Sequence, residues 1–294
     1  MTKPYIQLHA HVVVFAFTAI LGHLISLPAI ALVCWRTGIA AVLFFTILRP
    51  RFAPKNTPFR TKSALTGVLL SAHWMTFFGA IKLSNVTVCL TGIATISLFT
   101  AITEAIQERR RPKLNEILLG LIIIPSIVLI VGVSDGQLMG LLCAILSALL
   151  ASTFTVINKS LIRSGIPSSA ITQYEMLGGF LTCLVAGLLF KIPLNDWIPV
   201  SSDWVWIVTL ATICTVFAYQ WHIRLLQQFS AFEMSLAINL EPVYGILMAA
   251  VLFAEHKQMH PLFFVGALMI LAVNFIAPLI GFIRKRKAPI AIKL

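Results

Sequence analysis

The chain has 294 residues, 59% of them hydrophobic and only 11% charged, and its mean hydropathy is +0.95. Soluble domains carry roughly 25% charged residues, so this composition excludes a water-soluble globular protein and makes a bilayer the solvent. The net charge of +12 would suit a nucleic-acid partner, but the basic residues collect in short loops between apolar segments, which excludes one.

Stretches without Asp, Glu, Lys or Arg cover residues 4–35, 83–103, 117–134, 136–158, 204–223 and 258–283. A crossing takes about 20 mainly apolar residues. The pattern predicts an all-α integral membrane protein with ten transmembrane helices, at 8–27, 29–48, 63–81, 84–106, 116–134, 138–158, 170–190, 204–225, 231–253 and 262–283. The first segment follows Lys3 as a signal peptide would, but its apolar run is too long and lacks a small-x-small cleavage site. "ALVC" (31–34) lacks the small residues that a lipoprotein box needs before Cys34.

With a cytoplasmic N-terminus, 18 of the 22 basic residues fall on the inner face, among them Arg49, Arg51, Arg109 to Arg111, Arg163 and Arg284 to Lys287. Lys82, Lys191 and Lys257 fall outside, and Arg36 lies within a span. This is the positive-inside asymmetry, and an even helix count returns the C-terminus to the cytoplasm. The expected location is the cell membrane. The five cysteines lie in five different spans without paired spacing, as packing residues would, so neither a metal site nor a disulfide framework is indicated.

The chain also repeats itself. Shifted by half its length, 147 residues, "HWMTFFGAIKLSNVTVCLTGIATISLFTAITEAIQE" (73–108) lies over "QWHIRLLQQFSAFEMSLAINLEPVYGILMAAVLFAE" (220–255), pairing Trp74 with Trp221 and Glu108 with Glu255. Five spans per half is odd, so the second copy enters the membrane from the other side. The expected domains are two inverted five-helix repeats, 1–135 and 136–294, the second with a short basic tail.

"LEPVYGILMAAVLFAEH…FVGALMILAVNFI" (240–276) resembles the last two helices of the drug/metabolite transporter superfamily, EamA type. "ATISLFTAITEAIQE…LLGLIIIPSIVLIVG" (94–132) carries the same phrase in the first half, and "CWRTGIAAVLFF" (34–45) is similar to the family's second helix. The resemblance covers nearly the whole chain as two tandem units. It implies a carrier for small metabolites, working outward, and a structural role for the helix-end residues Glu108 and Glu255. One departure is that Ala94-Thr95 stands where the second unit has Glu241-Pro242.

Glu241 and Pro242 are costly residues for a span. Proline removes a backbone donor and disfavours helix at the residue before it, and an ionisable group in the bilayer points to function. If that helix starts near Ser230, the pair sits near the membrane centre, where Glu241 and loosened carbonyls face a pathway for substrate or protons; the other reading is a packing kink. Arg36 sits in the outer half of its span, where it can snorkel outward, act as a gate or bind a substrate carboxylate. Glu175, its positional counterpart in "TQYEMLGG" (172–179), offers an opposite charge, so a direct Arg36–Glu175 ion pair is a further option.

His73 and Trp74, with Phe77, and then Tyr219, Trp221 and His222 form an aromatic and polar group that would line a pocket for an amphipathic metabolite. His73 is the preferred proton relay, whereas His9, His11, His256 and His260 are expected at interfaces. Small residues Ala144, Ala148 and Ser152 mark a close helix contact.

No P-loop is present, and Asp135, Asp196 and Asp203 are expected outside the core, so neither ATP hydrolysis nor a paired-aspartate intramembrane enzyme is indicated. The reading is a secondary transporter, not an enzyme, exporting a small metabolite such as an amino acid by alternating access without a cofactor. An intramembrane enzyme or a flippase for lipid-linked groups is the alternative. The expected partners are the lipid bilayer, the small-molecule substrate, protons and a second copy of the chain as a homodimer.

Overall fold

The computed structural model describes residues 3–48, 57–131 and 137–253, with Leu262, Val265, Gly266, Leu268, Met269 and Ala272 beyond them. The described residues are helical, with no strand among them. In chain order the helices are α1 (Lys3–Leu24), α2 (Ala29–Thr46), α3 (Thr57–Leu83), α4 (Val86–Ile93), α5 (Ile96–Gln107), α6 (Leu114–Val131), α7 (Leu138–Arg163) and α8 (Ser168–Leu189). Then come α9 (Asp203–Thr209), a π-helical segment (Leu210–Phe217), α10 (Ala218–Leu225), α11 (Ala231–Ile238) and α12 (Glu241–Phe253). Among the described residues, seven helical segments are long and apolar enough to cross a membrane. They are α1, α2, α3, α4 joined to α5, α7, α8, and α9 through α10. The predicted tenth span and Glu255 lie largely or wholly outside the described residues.

Two spans expected to be continuous are broken. Asn85 starts α4 by accepting the Val88 amide at 2.8 Å, and the helix gives way to a turn at Ala94-Thr95. Ser230 starts α11 through a capping box with Glu233, and that helix turns at Asn239-Leu240 before α12 begins at Glu241. Pro242 therefore occupies the first turn of α12, where its missing amide costs no hydrogen bond. Proline is not the whole cause of the interruption, because the first copy breaks without one. There the Thr95 hydroxyl and amide both donate to the Gly92 carbonyl, at 2.7 and 3.2 Å, closing the turn.

The interruptions also correct the register of the repeat. Val86 and Ala231 (231 less 86), and likewise Ile96 and Glu241 (241 less 96), are 145 residues apart. The ungapped shift of 147 is thus two residues out at these helices, and the structural counterpart of Glu241 is Ile96 rather than Ala94.

The long helix α3 packs against α7 and α8, α2 packs against α8 and the π segment, and α12 lies against α1 and α4. Without a hydrophobic drive between helices in lipid, close packing depends on small residues. A methyl group at Gly67 would lie 2.2 Å from the Glu175 carbonyl oxygen, and one at Gly178 would lie 2.1 Å from that of Ala64. These glycines let α3 and α8 meet backbone to backbone. Ala144, Ala148 and Ser152 are buried, and Ala144 fits against Gly92, where a methyl group would come within 2.5 Å of it. The two broken helices are stitched across the centre by Asn239 Nδ2 donating to Ser97 Oγ at 2.8 Å and by the Thr100–Ser235 hydroxyl pair at 2.8 Å.

Candidate functional site: a central cavity

A cavity lies where the broken helices meet α1, α2, α3, α7 and α10. Arg36, His73, Trp74, Tyr219, His222 and Glu241 all line it. Its lining follows the 145-residue repeat: Trp74 and Tyr219 (219 less 74), Phe77 and His222 (222 less 77), Ile93 and Ile238 (238 less 93), and Ile96 and Glu241 all face the same space. Trp221, expected in the same group, points elsewhere. It packs with His11 and Phe217 and against the cluster of Leu8, Val12 and Leu225. The two-residue error in register explains this, since Tyr219 is the true counterpart of Trp74.

Arg36 does not snorkel. It is 2% exposed, with its guanidinium carbon 3.6 Å from the centroid of the Trp74 ring. Nε donates to Thr215 Oγ1 at 2.6 Å, and Thr215 passes its own proton to the Leu210 carbonyl at 2.8 Å, five residues back in the π segment. The wider π turn thus delivers a hydroxyl to an arginine that lipid would reject, and the cation–π contact adds to it.

Glu175 is fully buried outside the cavity wall, accepting the Tyr219 hydroxyl at 3.1 Å, while Asn158 Nδ2 donates to that same hydroxyl oxygen at 3.1 Å. Among the described residues Arg36 and Glu175 form no ion pair. The rings of Trp74 and Tyr219, edge to face with centroids 5.6 Å apart, connect the two groups indirectly. His73 is held by Ser147, whose carbonyl lies 3.0 Å and hydroxyl 2.7 Å from Nδ1. Glu241 lines the cavity from the first position of α12, where the helix dipole favours a negative group. Pro242 is buried beside it.

Sequence reasoning missed Phe15, Thr18, Phe154 and Thr155, which complete the wall from α1 and α7. They are ordinary residues in apolar runs, and only the packing of those helices reveals them.

Glu108 stands at one end of the bundle. Arg109, at φ 50°, closes α5 in the left-handed conformation, with the Arg110 amide bonded to the Ala105 carbonyl at 2.9 Å. That turn folds Arg110 Nε onto Glu108 at 2.8 Å and its Nη2 to 3.6 Å from Glu104. Arg163, at the end of α7, reaches Glu108 at 2.9 Å. Bonds from Arg110 and then Arg163 hold the Glu108 carboxyl below the usual carboxylate range. Lys159 donates to the carbonyls of Leu226 and Phe229, fastening α7 to the loop after α10.

The opposite end is closed differently. Asp203, expected outside the core, is 1% exposed and accepts the Ser26 amide at 3.0 Å and hydroxyl at 2.6 Å. Trp35 Nε1 donates to the Trp197 carbonyl at 2.8 Å.

A bundle of membrane-length helices with an amphipathic chamber at the crossing of two interrupted helices defines a multi-pass membrane protein of the carrier class. The EamA-like transporter family matches at residues 2–132 and 138–277, once for each repeat. The chain belongs to that family. A solved structure, described as the crystal structure of a protein, superimposes with a TM-score of 0.67 at 16% identity, covering 98% of this chain and 98% of its own. At that identity the likeness carries the fold alone. No curated protein sequence matches the chain.

Proposed function

We propose that the protein is a secondary transporter that moves a small amphipathic metabolite, such as an amino acid, out of the cell by alternating access. The observation that carries this reading is the cavity itself: Arg36 and Glu241 supply opposite charges to one chamber walled by Trp74, Tyr219 and Phe154. Such a chamber suits a ligand with both signs of charge and an apolar body. The interrupted helices at a 145-residue interval support two repeats, and an odd number of spans in each would invert them. Rocking of repeats 1–135 and 136–294 about the cavity would expose it to the two faces in turn. The cell membrane, cytoplasmic termini and outward direction follow from the basic loops and from the family resemblance.

Protons are the proposed coupling ion, and Glu241 is the group that exchanges them. It faces the cavity, and no hydrogen bond ties it to a neighbouring helix among the described residues. The expected homodimer is tested by cross-linking in native membranes.

The deciding experiment places purified protein in liposomes and follows a panel of labelled amino acids and related amphipathic compounds. Net flux of an unchanged compound, increased by a pH gradient, is the expected result. A covalently altered product would replace the carrier with an intramembrane enzyme. Movement of a lipid-linked group without metabolite flux would make it a flippase.

A further inference from the structure

One turn of α1 beyond the cavity, His11 shares a buried space with His222 of the cavity wall, and the transport reading gives this pair no role. His11 lies four residues before Phe15, which lines the cavity, and so occupies the same face of α1. It was expected at an interface, yet it is fully buried. Its ring centroid is 5.1 Å from that of His222 on α10. Phe15 packs on both rings, 4.1 Å from His11 and 5.5 Å from His222. All four ring nitrogens are buried without a hydrogen-bond partner among the described residues.

Four unpaired imidazole nitrogens in a dry interior are unfavourable. A small rotation that turns one ring nitrogen toward the other ring gives an N–H donor and an acceptor to each other. Adding one proton makes this bond charge-assisted, and therefore stronger. A second proton would set two imidazolium ions side by side, which their repulsion opposes. We propose that His11 and His222 form a single-proton binding site, one proton shared between the two rings.

The proton enters at a nitrogen of His222, which lines the cavity, is shared with the facing nitrogen of His11, and returns to the cavity by the same route, so no bond other than N–H is made or broken. The titratable and charged groups around the pair are Arg36 of α2, His73 of α3, Cys214 of the π segment, Tyr219 of α10, and Glu241 and Tyr244 of α12. Arg36 opposes the added charge and ionised Glu241 favours it, so occupancy of the pair depends on the state of the cavity.

The test is a pH titration, from 4 to 9, of the full chain in lipid nanodiscs with its histidines labelled with nitrogen-15. Assignment uses His11→Asn and His222→Asn. The expected result is one protonation step that moves both ring signals together and binds one proton per pair, with either substitution changing the proton affinity of the remaining ring at least tenfold. Independent titration of the rings overturns the proposal, as does uptake of two protons or none across that range. If neither variant folds, proton stoichiometry in the unaltered protein decides alone. Zinc added at neutral pH is the control: signals that respond to zinc while binding no proton would make the pair a metal site and reject the shared proton.

Discussion

Ile96 and Glu241 occupy the same place in two similar constructions. Each opens the second half of a broken helix, each faces the central cavity, and each lies across from the other broken helix. The local architecture is shared and the chemistry is not. The first copy contributes Trp74, Phe77, Ile93 and Ile96 to the wall; the second contributes Tyr219, His222, Ile238 and Glu241. Repetition built the chamber, and divergence at three of the four paired positions put Tyr219, His222 and Glu241 where the first copy has Trp74, Phe77 and Ile96. A carrier needs the symmetry for opening to either side. It needs the asymmetry to bind one ligand in one orientation.

This contrast is most exposed to test at its charged member. Glu241→Gln should abolish flux driven by a pH gradient while sparing exchange at equal pH, measured in liposomes. Reduced thermal stability with unchanged pH dependence would instead make Glu241 a packing residue. The matching change, Ile96→Val, removes one methyl group from the apolar wall and should leave the response to a pH gradient intact.

A second comparison concerns the tryptophans that simple alignment equates. Trp74→Ala removes the ring under Arg36 and opens the core, so it should cost about 3–5 kcal/mol, seen as a large fall in melting temperature. Trp221→Ala, outside the cavity, should lose less stability and leave ligand affinity unchanged. Equal effects on affinity would reject the 145-residue register.

Tyr219→Phe is a finer probe. It keeps the ring against Trp74 but leaves Glu175 and Asn158 without their shared hydroxyl, an expected loss of about 1–3 kcal/mol. Thermal unfolding of the single change and of the double change with Glu175→Gln measures it, the double change losing less than the sum of the two.

The smallest effect belongs to Glu108. Its carboxyl is held below the usual range, so the stabilisation it gives is present above the ordinary carboxylate value and lost as pH falls through the lowered one. The group is partly exposed, so Glu108→Gln should cost less than about 1 kcal/mol at neutral pH. The acid limb of a melting-temperature profile should flatten in that variant. Orientation has its own check: cysteine labelling at Asn56 from outside the cell would overturn the cytoplasmic placement of its loop.

Most of the helical segments were legible because apolar length and charge-free windows are properties of the sequence itself. The cavity was legible where a costly side chain betrayed it, at Arg36, Glu241 and His222. His11 was not, because a histidine eight residues after Lys3 looks interfacial until α10 covers it. The interruption at Ala94-Thr95 carried no proline to signal it, and Thr95 repairs the turn with a hydroxyl that any helix could carry. The register failed by two residues because an ungapped shift seeks matching letters, and Trp74 and Trp221 match in letter but not in place.

The π segment has a consequence for how the eighth span can change. An α-helix advances about 100° per residue, so wider turns between Leu210 and Phe217 alter the angular phase at which the chain enters α10. At one side Asp203 is pinned to Ser26; at the other Tyr219 and His222 must face the cavity. Tightening this stretch into ordinary α-helix with every residue kept would leave both anchors in the chain but rotate one against the other. The segment thus sets the timing between two fixed gears, and substitutions that favour the tighter helix there should turn the aromatic wall out of mesh without touching any residue in it.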